Sequence, residues 1–232
     1  MKLTKGMILA AGFGRRLKPI TNKKPKPLIK IGKTNLLEKC ILMLKNFGIN
    51  EIVINTHYLS DEIINFINNK NFNINIEIIN EEKTILDTGG GVLNATKKFL
   101  NDPFIVINPD TVWNEKYIEE LENLEKIYFD KKKSSLLLVN KNKSFDKSFL
   151  GDFNLNDKGV VSRNEYNSMI YTGAQIINRQ IFKNYHVEPF SMNKVWDELI
   201  KNKLLYGFKS NLEFFHLNSH EIYKKIVEKF NE

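Results

Sequence analysis

KGMILAAGFGRRLKPITNKKPKPL, Lys5 to Leu28, is the stretch on which the fold turns. Met7 to Ala11 reads as a buried strand. Ala10, Ala11, Gly12 and Gly14 then form a small-residue turn, and the loop beyond carries Arg15, Arg16 and Lys26. An apolar strand that opens into glycines and then cations suits a polyphosphate. Glycines let backbone N–H groups approach phosphate oxygens, and the cations neutralise charge that builds up during phosphoryl transfer. Two familiar phosphate motifs fail on spacing. G-x-G-x-x-G needs a third glycine where Leu17 stands and an acid where the second strand ends in Asn55. The ATPase P-loop needs a Gly-Lys-Ser/Thr that is missing after the glycines.

Working outward, 232 residues suffice for a sizeable core, and no boundary rich in glycine, proline or serine divides them. One domain, 1–232, is expected. The 35 basic and 27 acidic residues give a net charge of +8. The lysines are spread along the whole chain and no nucleic-acid reading motif accompanies them, so no nucleic-acid partner is expected. Cys40, the single cysteine, sits among Leu36, Leu37, Ile41 and Leu44 as a helix-core residue. The residues before Met7 are too few and too polar for a signal peptide, and no apolar run approaches membrane-spanning length. A cytoplasmic protein without a membrane partner is expected, as a monomer or small homo-oligomer.

The periodicity predicts a helix over Leu36–Phe47 capped by Gly48, a strand over Glu51–Asn55, a helix capped by Ser60 or Asp61, and a strand over Asn73–Asn80. Strand and helix in alternation imply an α/β fold, a mixed but mostly parallel Rossmann-like sheet flanked by helices. Leu86-Asp87-Thr88-Gly89-Gly90-Gly91 opens a further helix, either as a flexible loop or as a place where a ligand meets exposed N–H groups. Phe104–Trp113, FIVINPDTVW, reads as a central strand with Asn108 and Asp110 at its carboxyl end. A carboxylate there can hold a metal against a phosphate, although Asn108-Pro109-Asp110 also reads as a plain turn. Farther on come a helix to about Phe129, a strand Ser135–Asn140, a hairpin around 156–159, a strand Ile170–Ile177 broken by Gly173, a helix capped by Ser191, strands at 203–208 and 213–217, and a terminal helix. Asp152 reads equally as a hairpin residue or a ligand contact.

Leu9, Ala10, Ala11, Gly12, Gly14, Arg16, Leu17, Pro19 and Thr21, followed by Pro25-Lys26-Pro27-Leu28, match L-A-A-G-x-G-x-R-L-x-P-x-T and P-K-P-L. This resembles the sugar-nucleotide pyrophosphorylases, which join a nucleoside triphosphate to a sugar 1-phosphate. The resemblance implies the nucleotide-diphospho-sugar transferase fold, with Ala10, Ala11, Gly12, Gly14, Thr88, Gly89 and Gly90 around the nucleotide. It also implies catalytic roles for Arg16 on the β- and γ-phosphates, Lys26 on the α-phosphate or attacking phosphate, and Asp110 on Mg²⁺. Asn108, Gly151, Asp152, Thr172 and Gly173 are implied on the sugar-phosphate side, with 1–113 as the nucleotide-binding half and 114–232 as the sugar-phosphate-binding half.

The chain departs from the family pattern at two places. Pro109 replaces a small residue and removes an N–H. In the W-x-D-V-G-T landmark, here Phe214 to Ser219, His216 replaces the second metal aspartate and Asn218 replaces glycine. Imidazole suits Mn²⁺ better than Mg²⁺, so His216 is expected either as a metal ligand or as a phosphate contact. The hexapeptide repeat of a β-helix extension is absent. The short family members most resembled make UDP-N-acetylmuramate from UTP. Mannose-1-phosphate guanylyltransferases using GTP, a phosphocholine cytidylyltransferase-like enzyme and a catalytically silent nucleotide-binding homologue are the alternatives.

Overall fold

A computed structural model describes residues 2–81 and 84–231. β1 (Lys5–Leu9) leads into the glycine turn, and a small hairpin of β2 (Lys30–Ile31) and β3 (Thr34–Asn35) follows. Then come α1 (Leu36–Phe47), β4 (Glu51–Thr56), α2 (Ser60–Asn68), β5 (Asn75–Asn80), α3 (Asp87–Ala95) and β6 (Phe104–Ile107). The remainder is α4 (Tyr117–Lys131), β7 (Ser135–Asn140), a hairpin of β8 (Asn154–Leu155) and β9 (Val161–Ser162), β10 (Met169–Ile177), α5 (Met192–Lys201), β11 (Tyr206–Ser210) and α6 (His220–Asn231).

Seven strands make one sheet in the order β11-β7-β10-β6-β1-β4-β5. Only β10 runs against the others, antiparallel to both β6 and β7. This is the mixed, mostly parallel α/β sheet that alternating strands and helices imply. Both faces of its strands are apolar, and consecutive residues serve opposite layers. Ile8, Ile52, Ile54, Ile105 and Ile107 pack against α1, α2 and α4. Met7, Val53, Phe104 and Val106 pack against α3 and α5. The terminal helix α6 buries Ile222 and Ile226 against Leu17, Ile29 and Ile31, so the chain's end closes over the cationic loop. Among the described residues no helix is long and apolar enough to cross a membrane.

Three local expectations are corrected. Ser60 does not cap α2: Leu59 holds that position at φ 51, and the Ser60 hydroxyl bonds Thr56 at 3.0 Å. Residues 213–217 form isolated bridges instead of a strand, because they cross the ends of other strands: Thr111 pairs with His216 and Ser144 with Phe214. The predicted strand at 203–208 begins at Tyr206 and runs to Ser210.

Candidate active site

At the carboxyl ends of β1, β4 and β6 lies a cavity of about 320 Å³. Its floor is Leu9 to Gly12, its cationic rim Arg15, Arg16 and Lys26, and its far wall Asn108, Pro109 and Asp110. Parallel strands leave their carboxyl ends open as a crevice, and the glycine turn after β1 falls into it. Two hydrogen bonds brace the floor. Ala10 N–H donates to Asn55 Oδ1 at 3.0 Å, and Asn55 Nδ2 donates to the buried Glu81 carboxylate at 2.7 Å. The other Glu81 oxygen accepts from Leu86 N–H at 2.8 Å, which ties the floor to the wall carrying Asp87 and Thr88.

The charged centre is Asp110. Lys26 Nζ lies 2.6 Å from Asp110 Oδ2, and His216 Nε2 lies 3.1 Å from the same oxygen. The approach is built by backbone pairing: Leu217 N–H donates to Asp110 O at 2.7 Å and Val112 N–H to Phe215 O at 2.9 Å. Phe214 stacks on the imidazole and Phe149 meets its edge, which fixes the ring. Burial alone would push the Asp110 carboxyl up. The charges and hydrogen bonds of Lys26 and His216 outweigh it and hold the carboxyl well below the usual carboxylate range.

The depressed value sets a sign. An unfolded aspartate titrates near about 3.9. The Asp110 contacts therefore contribute stability in full above that pH and lose it as pH falls toward the lower folded value. Acid unfolding followed by circular dichroism is expected to begin at higher pH in Asp110→Asn than in the parent chain, and the acid limb of the pH–rate profile is expected to lie outside Asp110.

A nucleotidyl transferase family model matches residues 5–146, which include the glycine turn, Lys26 and Asp110. The chain belongs to the nucleotidyl transferase family. The family's relatives include the N-acetylmuramate α-1-phosphate uridylyltransferase of Caulobacter vibrioides, 27% identical over 83% of each chain. Another is the D-glycero-α-D-manno-heptose 1-phosphate guanylyltransferase of Aneurinibacillus thermoaerophilus, 26% identical over 94% of this chain and 95% of that one. Among solved structures, HddC from Yersinia pseudotuberculosis complexed with GMP-PN is similar at a TM-score of 0.75, with 26% identity over 98% of this chain and all of that one.

The structure brings some of the residues that resemblance to this family implied into one cavity and leaves others outside. Ala10, Ala11, Gly12, Gly14, Arg16, Lys26, Thr88, Asn108 and Asp110 line it. Gly89 and Gly90 do not. Their N–H groups donate to Phe190 O at 2.8 and 3.1 Å, so the start of α3 is bonded to protein backbone. Asp152 fastens its loop, since Oδ2 accepts from Tyr171 N–H at 2.9 Å, and Gly151 packs under the Asn167 carbonyl. Thr172 is turned inward. Its hydroxyl donates to Leu137 O at 2.9 Å and its carbonyl accepts from Thr111 Oγ1 at 2.5 Å. Gly173, at φ 96, lets β10 bulge past Asn108: a Cβ there would lie 2.9 Å from Asn108 Cβ.

Asn55, Glu81 and Asp87 were not singled out from the sequence as site residues. Asn55 stood out only as a missing acid, and Glu81 gave no signal beyond an acidic pair, Glu81-Glu82, after an edge strand. Asn218 lines the cavity, and its Nδ2 donates to Asp146 Oδ2 at 2.6 Å, which leaves its Oδ1 buried without a partner.

Proposed function

We propose that this nucleotidyl transferase joins an NTP to a sugar 1-phosphate and releases pyrophosphate, with UTP and N-acetylmuramate 1-phosphate as the pair. One observation carries the reading. Among the described residues, the buried side-chain polar atoms without a partner are Asp110 Oδ1, Tyr171 Oη, His216 Nδ1 and Asn218 Oδ1, and three of them lie together: His216 touches Asp110, and Asn218 lines the same cavity. Unpaired buried polar groups are costly, and a cluster of them is explained by a polar ligand that completes it.

In the proposed reaction an oxygen of the sugar phosphate attacks the α-phosphorus. A new P–O bond forms as the bond from the α-phosphorus to the bridging oxygen breaks, and pyrophosphate leaves with that electron pair. The attacking phosphate is already ionised at neutral pH, so no general base is required. Arg15 and Arg16 make no ion pair among the described residues, and Arg15 rests on the Phe13 ring, so both are available to the outer phosphates. Lys26 turns from Asp110 to the α-phosphate or the attacking phosphate.

The family's divalent cation fits the donors present. Asp110 Oδ1 is a hard oxygen with no donor of its own. Among the described residues no group of three His, Cys, Asp or Glu side chains could hold a metal. A single carboxylate completed by phosphate and water oxygens is the mode Mg²⁺ favours, and when bound it supplies positive charge to the phosphates. His216 orients Asp110 through Nε2 in this reading and is not itself a ligand.

The uridylyl assignment is supported by the Caulobacter relative and by a second N-acetylmuramate α-1-phosphate uridylyltransferase, from Neisseria meningitidis, 36% identical over 47% of each chain. The GMP-PN complex of HddC favours a guanylyl alternative. Pyrophosphate release is measured with each NTP against N-acetylmuramate 1-phosphate, mannose 1-phosphate, N-acetylglucosamine 1-phosphate and phosphocholine, in Mg²⁺ and in Mn²⁺. Release with UTP and N-acetylmuramate 1-phosphate is expected, with Mg²⁺ at least as effective as Mn²⁺. Release with another single pair would replace the substrates, and no release from any pair would sink the enzymatic reading.

A further inference from the structure

We propose that the Asn218 side-chain carbonyl selects the acceptor, accepting a hydrogen bond from the donor group on the carbon next to the phosphorylated one, a hydroxyl or an amide N–H. The inference rests on the functional reading above and deepens it. The amide of Asn218 cannot be turned round. Nδ2 donates to Asp146 Oδ2 at 2.6 Å, and Asp146 is itself pinned: its other carboxylate oxygen accepts from Ser148 N–H at 2.9 Å and its carbonyl from Ser144 Oγ at 2.8 Å. Burial pushes the Asp146 carboxyl up, but the bonds from Asn218 and Ser148 outweigh it and hold the group below its ordinary value, so it only accepts. The nitrogen end of the amide must face Asp146, and Oδ1 is left as a fixed acceptor.

Asn218 lines the cavity and Asp146 does not, so the end of the amide turned away from Asp146 is the end left to the cavity. Oδ1 is buried there without a partner. The backbone holds it beside the reacting centre. Leu217 N–H donates to Asp110 O at 2.7 Å, and Ser219 Oγ accepts from Ile222 N–H at 3.2 Å as α6 begins. Leu217 is buried with Leu17 and Ile222, while His216 on one side of it bonds Asp110 and Asn218 on the other reaches the cavity.

An acceptor at this wall needs a donor from the substrates. The phosphate groups of both offer only oxygens that accept, and Asp110 Oδ1, not a neutral amide, is the oxygen for the cation. The donors nearest the α-phosphorus are therefore sugar groups. On the acceptor the nearest one sits one carbon from the C–O–P link, whereas on the ribose it sits two carbons away. A carbonyl already oriented and unpaired gives up no protein bond when that donor arrives, and it stays unsatisfied when an acceptor without the donor takes its place.

The test pairs a substitution with a change in the acceptor. kcat/KM is measured on the parent chain and on Asn218→Ala, with the sugar 1-phosphate and with its analogue carrying hydrogen in place of the C2 substituent. With UTP and N-acetylmuramate 1-phosphate, or GTP and mannose 1-phosphate, the preference for the natural acceptor is expected to be on the order of 10-fold larger in the parent. Loss of the bond to Asp146 affects both acceptors alike and cancels in this ratio, so a merely structural Asn218 would leave the preference unchanged and overturn the proposal. The 2′- and 3′-deoxy forms of the NTP are run alongside. A preference that follows a ribose hydroxyl would put the bond on the nucleotide and overturn the acceptor assignment. Should Asn218→Ala not fold, the parent decides alone, since a parent that uses the two acceptors within about twofold makes no such bond. Absence of pyrophosphate release from the parent chain with every sugar 1-phosphate would instead remove the functional reading itself, and this inference with it.

Discussion

Lys26→Ala is expected to lower kcat/KM for pyrophosphate release by about 10²-fold or more, the scale on which removing one preorganised transition-state donor acts. Charge grows on the phosphate oxygens as the bond to pyrophosphate breaks, and Lys26 is the part-buried cation set against Asp110 at the cavity wall. Its ammonium lies 2.6 Å from Asp110, with only 16% of the side chain exposed, so it is already desolvated and in place. The same substitution leaves Asp110 with His216 alone, and the carboxyl pKa is expected to move back toward the usual range. Lys26→Ala and Asp110→Asn are therefore expected to be non-additive: the double variant should be little worse than the poorer single one, because the residues act on one transition state. Steady-state kinetics on the three proteins decides it. Near-normal turnover in Lys26→Ala would remove the lysine from the chemistry, and strict additivity would separate the two residues.

The largest loss of stability is expected at Gly90. A Cβ on this residue would lie 2.1 Å from the Glu188 carbonyl oxygen, a backbone atom that cannot swing aside. Relief requires α3 and residues 188–190 to separate, which breaks the bonds from Gly89 and Gly90 N–H to Phe190 O. Overpacking of this kind costs roughly 1–3 kcal/mol, and the loss of two backbone bonds places Gly90→Ala at the top of that range. For a chain of this length, 3 kcal/mol corresponds to a melting temperature lower by about 6–12 °C. Thermal unfolding without nucleotide measures it. A shift under about 2 °C would mean that the segment yields at little cost, contrary to its packing.

Gly90 also shows where the sequence stops informing. Three glycines at a helix start serve either a ligand or a neighbouring backbone, and composition cannot separate the two. The partner, Glu188 to Phe190, is about a hundred positions away, and only the folded chain brings it near. Thr172 and Asp152 miss the cavity for the same reason: their polar groups are used by Leu137, Thr111 and Tyr171, none of which spacing reveals. What was legible is what one strand and its following loop decide alone. The strand Lys5–Leu9, the glycine turn, the Gly48 cap, the Ser191 cap and the carboxylate after the short strand Phe104–Ile107 each depend on local periodicity or local chemistry. The expected strand at 213–217 fails for the same reason: Phe214 and Phe215 are both buried but in different places, Phe214 against Val139 and Ile170 and Phe215 against the terminal helix.

The lone antiparallel strand constrains how the molecule is made. β10 lies between β6 and β7, which are consecutive in the sheet's chain order but do not touch one another there. As the polypeptide leaves the ribosome, β7 has no neighbour to pair with until residues 169–177 have been synthesised, and β6 keeps a bare edge over the same interval. The segment matched by the family model, 5–146, ends before that strand. Similarity to the Aneurinibacillus relative runs on over 94% of the chain. The aspartate at the tip of β6 gains its fixed surroundings only when the later half of the chain arrives to seal the sheet, because His216 and Leu217, which bond it, are made after β10.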